Sequence, residues 1–146
     1  FELNSIVLIL KKNILKYILM RNDLDSMNPG KAMAQASHAS NAFVHGRKLM
    51  REGTRENEEL YLTWKTETHQ GFGTVLVLSV NQEEMEQAVA VAKMTGLETG
   101  IVHDPTYPLQ DGETCHFIPL DTCAYVFGDK EDPVLNAIVQ NFELHE

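Results

Sequence analysis

The stretch KYILMRNDLDSMNPGKAMAQASHA, residues 16–39, contains the turn that decides the fold. Its first residues are mostly apolar and predict a buried strand over 16–21. Turn-forming residues follow as far as Pro29, and a helical pattern then continues to about Met50. A strand that leads through a loop into a helix N-terminus places free backbone N–H groups, and here Lys31, where an anion can bind.

The rest of the chain alternates between helical and strand patterns. It predicts a helix over 54–65, a strand over 74–80, a helix from Asn81 to Gly96, strands over 97–103 and 122–128, and a final helix from Pro133 to about Phe142. Residues 104–121 show neither pattern and predict a long functional or flexible loop. The strand–helix–strand unit over 74–103 implies a parallel crossover. We therefore expect an α/β three-layer sandwich whose four-stranded mixed, mostly parallel sheet is flanked by helices.

Length and composition indicate a single globular domain. The chain has 146 residues, 43% of them hydrophobic and 23% charged, which suffices for a core of its own. We assign this domain to residues 16–146 and treat residues 1–15 as an N-terminal extension, most simply an extra strand or ordered tail. The apolar run over 5–10 is too short to span a membrane and lacks the layout of a signal peptide. With only two cysteines, a reduced cytoplasmic protein is the simpler expectation.

The net charge of −9 counts against a nucleic-acid partner. Lys and Arg side chains make the phosphate contacts that supply much of the affinity for RNA. A chain with this excess of acids must concentrate its positive charge locally if it binds RNA.

A polar stripe follows the first predicted helix. Lys31, Gln35 and His38 stand at positions i, i+4 and i+7, opposite the alanines. The pattern alone favours a solvated face, and the alternative is an anion or ribose site in which His38 titrates near neutral pH. Asn41 and His45 continue the same face and are interpreted as surface residues.

Asp104 directly follows a predicted strand. If that strand is parallel to the first, its carboxyl end shares an edge of the sheet with the N-terminus of the Lys31 helix. A lysine, a histidine and an aspartate that converge there could position and activate a water for attack on an ester. An equally supported interpretation is that Asp104 caps the turn before Pro105.

Other site types find little support. The spacing of His103, Cys115, His116 and Cys123 matches no zinc pattern, so we expect no metal. The sequence also lacks a P-loop and the GxSxG motif of α/β hydrolases.

The helix motif resembles one family of RNA-directed hydrolases. Similarity to the archaeal/eukaryotic-type peptidyl-tRNA hydrolases extends over about residues 16–146, and it rests on Arg21-Asn22-Asp23-Leu24, Met27, Gly30-Lys31, Ala34-Gln35, Ser37-His38-Ala39 and LETGIVHD at 97–104. The resemblance implies hydrolysis of the ester that joins a peptide to the 3′ ribose of tRNA. It also implies tRNA as the partner, no metal or organic cofactor, and a homodimer.

The resemblance further assigns roles to individual residues. It implies that Lys31, His38 and Asp104 are catalytic, and that the substrate-binding residues are Arg21, Asp23, Gln35, Thr106 and Thr122. After its aspartate the family typically continues with Gly-Arg-Thr, whereas this chain has Pro-Thr-Tyr-Pro, no arginine beyond Arg55, and an apparent insertion at 111–117. The alternative function is therefore a non-catalytic binding module on the same fold. The acidic charge favours the module, and the intact helix motif favours the enzyme.

Overall fold

The computed structural model describes residues 13–49 and 55–146. Within them the elements are β1 (Ile14–Arg21), α1 (Pro29–Leu49), α2 (Arg55–Lys65), β2 (Val75–Val80), α3 (Gln82–Met94), β3 (Glu98–Asp111), β4 (Thr114–Asp129), α4 (Pro133–Val139) and β5 (Glu143–Leu144). Residues 1–12 of the predicted extension and the predicted start of the second helix at Thr54 lie outside the described residues.

The strands form one five-stranded sheet in the order β3-β4-β1-β2-β5. Only β1 and β2 pair in parallel, and the other three pairings are antiparallel. The prediction of four mostly parallel strands was therefore wrong. The chain crosses from β2 to the far edge of the sheet, where β3 pairs with β4 through a hairpin. Because two antiparallel steps separate β3 from β1, these strands still run in the same direction, as the sequence argument required.

The expected loop over 104–121 is a second error. β3 continues through this segment to Asp111, and β4 begins at Thr114 after a two-residue turn in which Gly112 has a φ of 60°. The prolines at 105 and 108 favoured a loop, but β3 is an edge strand, where a residue without an N–H group is tolerated. The missed hairpin doubles the length of both strands.

Strand β1 lies at the centre of the fold, and all eight of its residues are buried. Leu15, Tyr17 and Leu19 point toward α3 and α4. The alternate residues, which include Ile18 and Met20, point toward α1 and α2. Helices therefore cover both faces of the sheet, which confirms a mixed α/β fold with one sheet between helical layers and explains why β1 is mostly apolar on both faces.

A charged side chain is buried within this central strand. Lys16 is 3% exposed, and its ammonium donates to the Ser40 hydroxyl at 3.0 Å. The same nitrogen lies 4.9 Å from the ring centroid of Trp64 and 5.3 Å from that of Phe43. Burial lowers the pKa of Lys16 to about 8, because a low-dielectric environment disfavours the charged form.

The predicted helix caps on the second half of the chain are present. Asn81 accepts from the Glu84 N–H and Glu84 accepts from the Asn81 N–H, a reciprocal capping box. Asp132 caps α4, which ends at Val139, earlier than expected, because the chain turns into the short strand β5. No helix among the described residues is long and apolar enough to cross a membrane.

Candidate active site

The first turn of α1 presents Lys31 to the β3–β4 hairpin. The side chain of Asn28 accepts from the Lys31 N–H at 2.9 Å, a typical N-cap contact that fixes the start of the helix. The Lys31 ammonium donates to the Pro108 carbonyl at 2.7 Å and lies 5.1 Å from the ring centroid of Tyr107. Lys31 is half-buried between the helix and the hairpin.

Gln35 lies one turn further along α1 and is 2% exposed. Its amide NH₂ donates to Asp104 at 2.7 Å, and its amide oxygen accepts from the Thr122 hydroxyl at 2.6 Å. The Cys123 thiol contacts the backbone carbonyl of Gln35 at 3.4 Å. The solvated face that the pattern favoured is therefore wrong for Gln35, which links three elements of the fold through its two ends.

Asp104 is the acceptor at the centre of this network. One carboxylate oxygen binds Gln35, and the other accepts from the Thr106 N–H at 2.9 Å and from the Thr106 hydroxyl at 3.2 Å. Burial alone would raise the pKa of Asp104. The hydrogen bonds from Gln35 and Thr106, with a further electrostatic contribution from His38, outweigh it and hold the pKa below its usual value.

Two β-bulges determine how the side chains of Asp104, Thr106 and Thr122 are oriented. The register between β3 and β4 shifts at Val102/His103 and again between Asp104 and Tyr107. A bulge adds a residue to one strand and re-aims the side chains beside it. Thr122 lies at the first shift and Thr106 lies within the second, so the irregular pairing brings both hydroxyls to the network.

His38 is exposed and lies one turn beyond Gln35 on α1. It is close enough to contribute to the electrostatic environment of Asp104. Hydrogen bonds therefore join Gln35 of α1 to Asp104 and Thr122 of the hairpin, and Asp104 to Thr106. Lys31 and His38 lie about one turn to either side of Gln35 on the same helix.

Arg21 and Asp23 lie beside this network and are bound to each other. The Arg21 guanidinium contacts both oxygens of Asp23, at 2.9 and 3.2 Å, and donates to the Asp121 carbonyl at 3.0 Å. Asp23 also accepts from the Gln82 N–H at the start of α3. The Arg21 hydrogen bond is the main cause that lowers the pKa of Asp23. Arg21 is 5% exposed. The pair links the end of β1 to β4 and to the start of α3.

Sequence reasoning missed Tyr107 and Ser26. The Tyr107 side chain is fully buried, and its hydroxyl lies 2.9 Å from that of Ser26. This contact attaches the β1–α1 loop to the hairpin beside Lys31. The missed signal is the large side chain of Tyr107 between the prolines at 105 and 108. If this segment is interpreted as a strand, Tyr107 is assigned to the core.

The four residues considered for metal binding are dispersed in other contacts. His103 pairs with Asp121 at 2.8 Å, and His116 lies 3.6 Å from Asp111. Burial raises the pKa of the Cys123 thiol to about 12, while Cys115 is exposed. In the described part of the chain, no group of three or more His, Cys, Asp or Glu side chains is placed to hold a metal ion.

A comparison with known families finds a match over most of the chain. The model of the family peptidyl-tRNA hydrolase PTH2 matches residues 14–144. The chain belongs to the PTH2 family. That range includes every candidate site residue, and it confirms the resemblance on the helix motif. Membership indicates a hydrolase that acts on peptidyl-tRNA as the substrate class.

Other comparisons add the fold alone. A protein of unknown function from Agrobacterium tumefaciens superposes on this PTH2 family member with a TM-score of 0.55 and 10% sequence identity, over 93% of this chain and 100% of the other. A comparison with curated proteins finds no match.

Proposed function

We propose that this PTH2 family member hydrolyses the ester of peptidyl-tRNA and releases the peptide and free tRNA. The observation that carries the proposal is the oriented, ionised carboxylate of Asp104, held by Gln35 and Thr106 on the face of α1 that also presents Lys31. Family membership supplies the substrate class.

Asp104 and His38 act on water in this proposal. Each carboxylate oxygen can accept more than one hydrogen bond, so Asp104 retains capacity to bind a water molecule. The water oxygen forms a bond to the ester carbonyl carbon while its proton passes to Asp104 or His38. The bond to the ribose oxygen then breaks, and that oxygen takes up a proton as tRNA leaves.

Lys31 stabilises negative charge. Its ammonium is held at the hairpin by a neutral carbonyl, and no carboxylate of the described chain lies within ion-pair distance of it. A positive charge that is not neutralised by an acid can bind a phosphate or the oxyanion that develops on the carbonyl. Gln35 and Thr122 position Asp104, and Arg21 with Asp23 supports the backbone beside Thr122.

The proposed reaction uses no metal or organic cofactor, because an ammonium, an imidazole and a carboxylate supply the groups it needs. We also propose that residues 16–146 act as one domain, in the cytoplasm and as a homodimer. Sedimentation of the purified protein tests the dimer directly.

The first experiment is release of an N-blocked amino acid from charged tRNA by the wild type, Asp104→Asn and Lys31→Met. General-base catalysis contributes roughly 10²–10⁴-fold, so we expect Asp104→Asn to lose activity on that scale and Lys31→Met to lose a comparable part. Asp121→Asn is the matched control, because Asp121 pairs with His103 and takes no part in the Asp104 network.

Two outcomes would contradict the proposal. Equal losses in Asp104→Asn and Asp121→Asn would show that any carboxylate change disturbs the hairpin. No turnover by folded wild-type protein would favour the non-catalytic binding module, which the net charge of −9 and the absence of arginine beyond Arg55 already support.

A further inference from the structure

Helix α1 is free of acidic residues in a strongly acidic chain. None of its 21 residues is Asp or Glu, although the chain contains 21 of them, and the acid-free run extends from Ser26 to Arg51. The helix instead carries three cationic side chains and two histidines: Lys31, Arg47, Lys48, His38 and His45. Such charge asymmetry between segments indicates a surface for a polyanion.

Four of the exposed side chains of α1 are polar or basic and lie along one side of the helix. His38, Asn41, His45 and Lys48 are all exposed and follow one another at helical spacing. We call these four residues the α1 face. At a rise of about 1.5 Å per residue, it extends roughly 15 Å from the Asp104 network toward the C-terminus of the helix.

Two described acids near the C-terminus of α1, Glu58 and Glu98, are already paired. Arg47 points away from the α1 face and forms ion pairs with Glu58 and Glu98, and its guanidinium lies 3.9 Å from the ring centroid of Tyr61. Lys48 has no carboxylate within ion-pair distance among the residues that the structure describes. Within that part of the chain, no acid neutralises the charge of its exposed side chain.

The opposite helical layer has the reverse character. Helix α3 carries Glu83, Glu84 and Glu86 in its first half and one cation, Lys93, in its last turn. A nucleic acid would meet net repulsion there, because phosphate contacts depend on Lys and Arg.

We propose that the α1 face binds the phosphate backbone of the tRNA strand that leads away from the ester. The inference rests on the proposed function for the location of the ester beside Asp104. Lys48 supplies the fixed charge, while Asn41 and the two imidazoles donate hydrogen bonds to phosphate or ribose oxygens. The surface thus concentrates positive charge locally in a chain whose net charge is −9.

The test compares Lys48→Glu with Lys93→Glu. Both lysines lie in the last turn of a long helix and favour its C-terminus equally, but they belong to opposite layers. We measure tRNA affinity over a salt series, and kcat/KM for full-length N-blocked aminoacyl-tRNA relative to the same ester on a short CCA oligonucleotide.

We expect Lys48→Glu to weaken tRNA binding about ten-fold and to reduce the slope of log affinity against log salt by about one. In Lys48→Glu, the ratio of kcat/KM for the full-length tRNA ester to kcat/KM for the CCA oligonucleotide ester should fall by a similar factor. His45→Glu should change both quantities in the same direction. Lys93→Glu should match the wild type.

Equal effects of Lys48→Glu and Lys93→Glu would overturn the inference, because they would reflect the overall charge alone. Unchanged tRNA binding in Lys48→Glu would also overturn it and would leave an acidic protein as the partner of this face. If the wild type hydrolyses neither ester, the proposed function fails, but the salt series still decides whether the α1 face binds RNA.

Discussion

The two faces of the sheet use the same central strand for different purposes. On the α3 face, Leu15, Tyr17 and Leu19 of β1 enter a continuous apolar core. On the side of the sheet that α1 covers, the alternate residues of β1 also pack into apolar clusters. This layer contains in addition buried Lys16, the Gln35–Asp104 network and exposed Lys48. The comparison indicates that both layers bury apolar side chains, and that the α1 layer in addition carries the polar network of the candidate site.

Truncation in the apolar layer should have the largest effect on stability. Leu19 is fully buried in β1 on the α3 side. Leu19→Ala should lower the free energy of unfolding by about 2–5 kcal/mol, because it removes buried methyl groups and leaves a cavity. Urea denaturation measures this loss, and kcat at a temperature where the variant is folded should stay near the wild-type value. A selective loss of kcat without destabilisation would contradict the division between the layers.

In the layer that contains α1, the buried Lys16 should make the free energy of unfolding depend on pH. Its pKa falls from 10.5 in the unfolded chain to about 8 in the folded protein, so the unfolded state binds more protons between these values. Its burial therefore destabilises the fold fully below pH 8, and stability should rise by roughly 3 kcal/mol as pH increases from 8 to 10.5.

The matched variant is Lys16→Met, which should lack this rise. The measurement is the unfolding free energy of the wild type minus that of Lys16→Met, taken at pH 7 and again at pH 10.5. The subtraction removes the contributions of the tyrosines and Cys123, which titrate in both proteins. A difference that does not change with pH would show that Lys16 keeps its ordinary pKa.

Gln35→Leu tests the polar network itself. The variant should lower kcat about 100-fold, because a carboxylate that loses its positioning contact no longer holds water in the attacking geometry. Without the Gln35 hydrogen bond, the pKa of Asp104 should rise, and the acidic limb of the pH–rate profile should move to higher pH. Gln87→Leu, a surface change on α3, is the control. An unmoved acidic limb would mean that Asp104 is not the titrating group.

The smallest effect is expected at the α3 capping box. Asn81→Ala removes the side-chain acceptor for the Glu84 N–H and should destabilise the protein by about 1 kcal/mol. Thermal unfolding measures the change. A loss of activity at constant stability would be unexpected, since this cap lies in the layer that the proposal keeps apart from the chemistry.

The sequence predicts local features of the fold better than its strand pairing. The caps at Asn81 and Asp132 and the buried β1 follow from short patterns, because their interactions are made within a few residues. The β3–β4 hairpin was missed because its prolines oppose a central strand, whereas an edge strand accepts them. Its edge position depends on distant pairings that no local pattern contains.

The same distinction applies to the site. Spacing placed Lys31, Gln35 and His38 on one helix face, and the direction of β1 and β3 brought Asp104 to them. The pattern could not indicate that Gln35 is buried, because this depends on the partners Thr122 and Asp104. Nor could it predict the two bulges, since each arises from the register between two strands.

The pairing of β1 with β4 has a consequence for synthesis on the ribosome. Ile14 lies opposite Asp129 and Lys16 opposite Phe127, so the first described strand obtains its antiparallel neighbour only once β4 has been made. Until then one edge of β1 can pair with β2, while its other edge waits for β4. Because contacts this distant in sequence form slowly, the edge of β1 that waits for β4 is the surface that a chaperone would have to shield during synthesis.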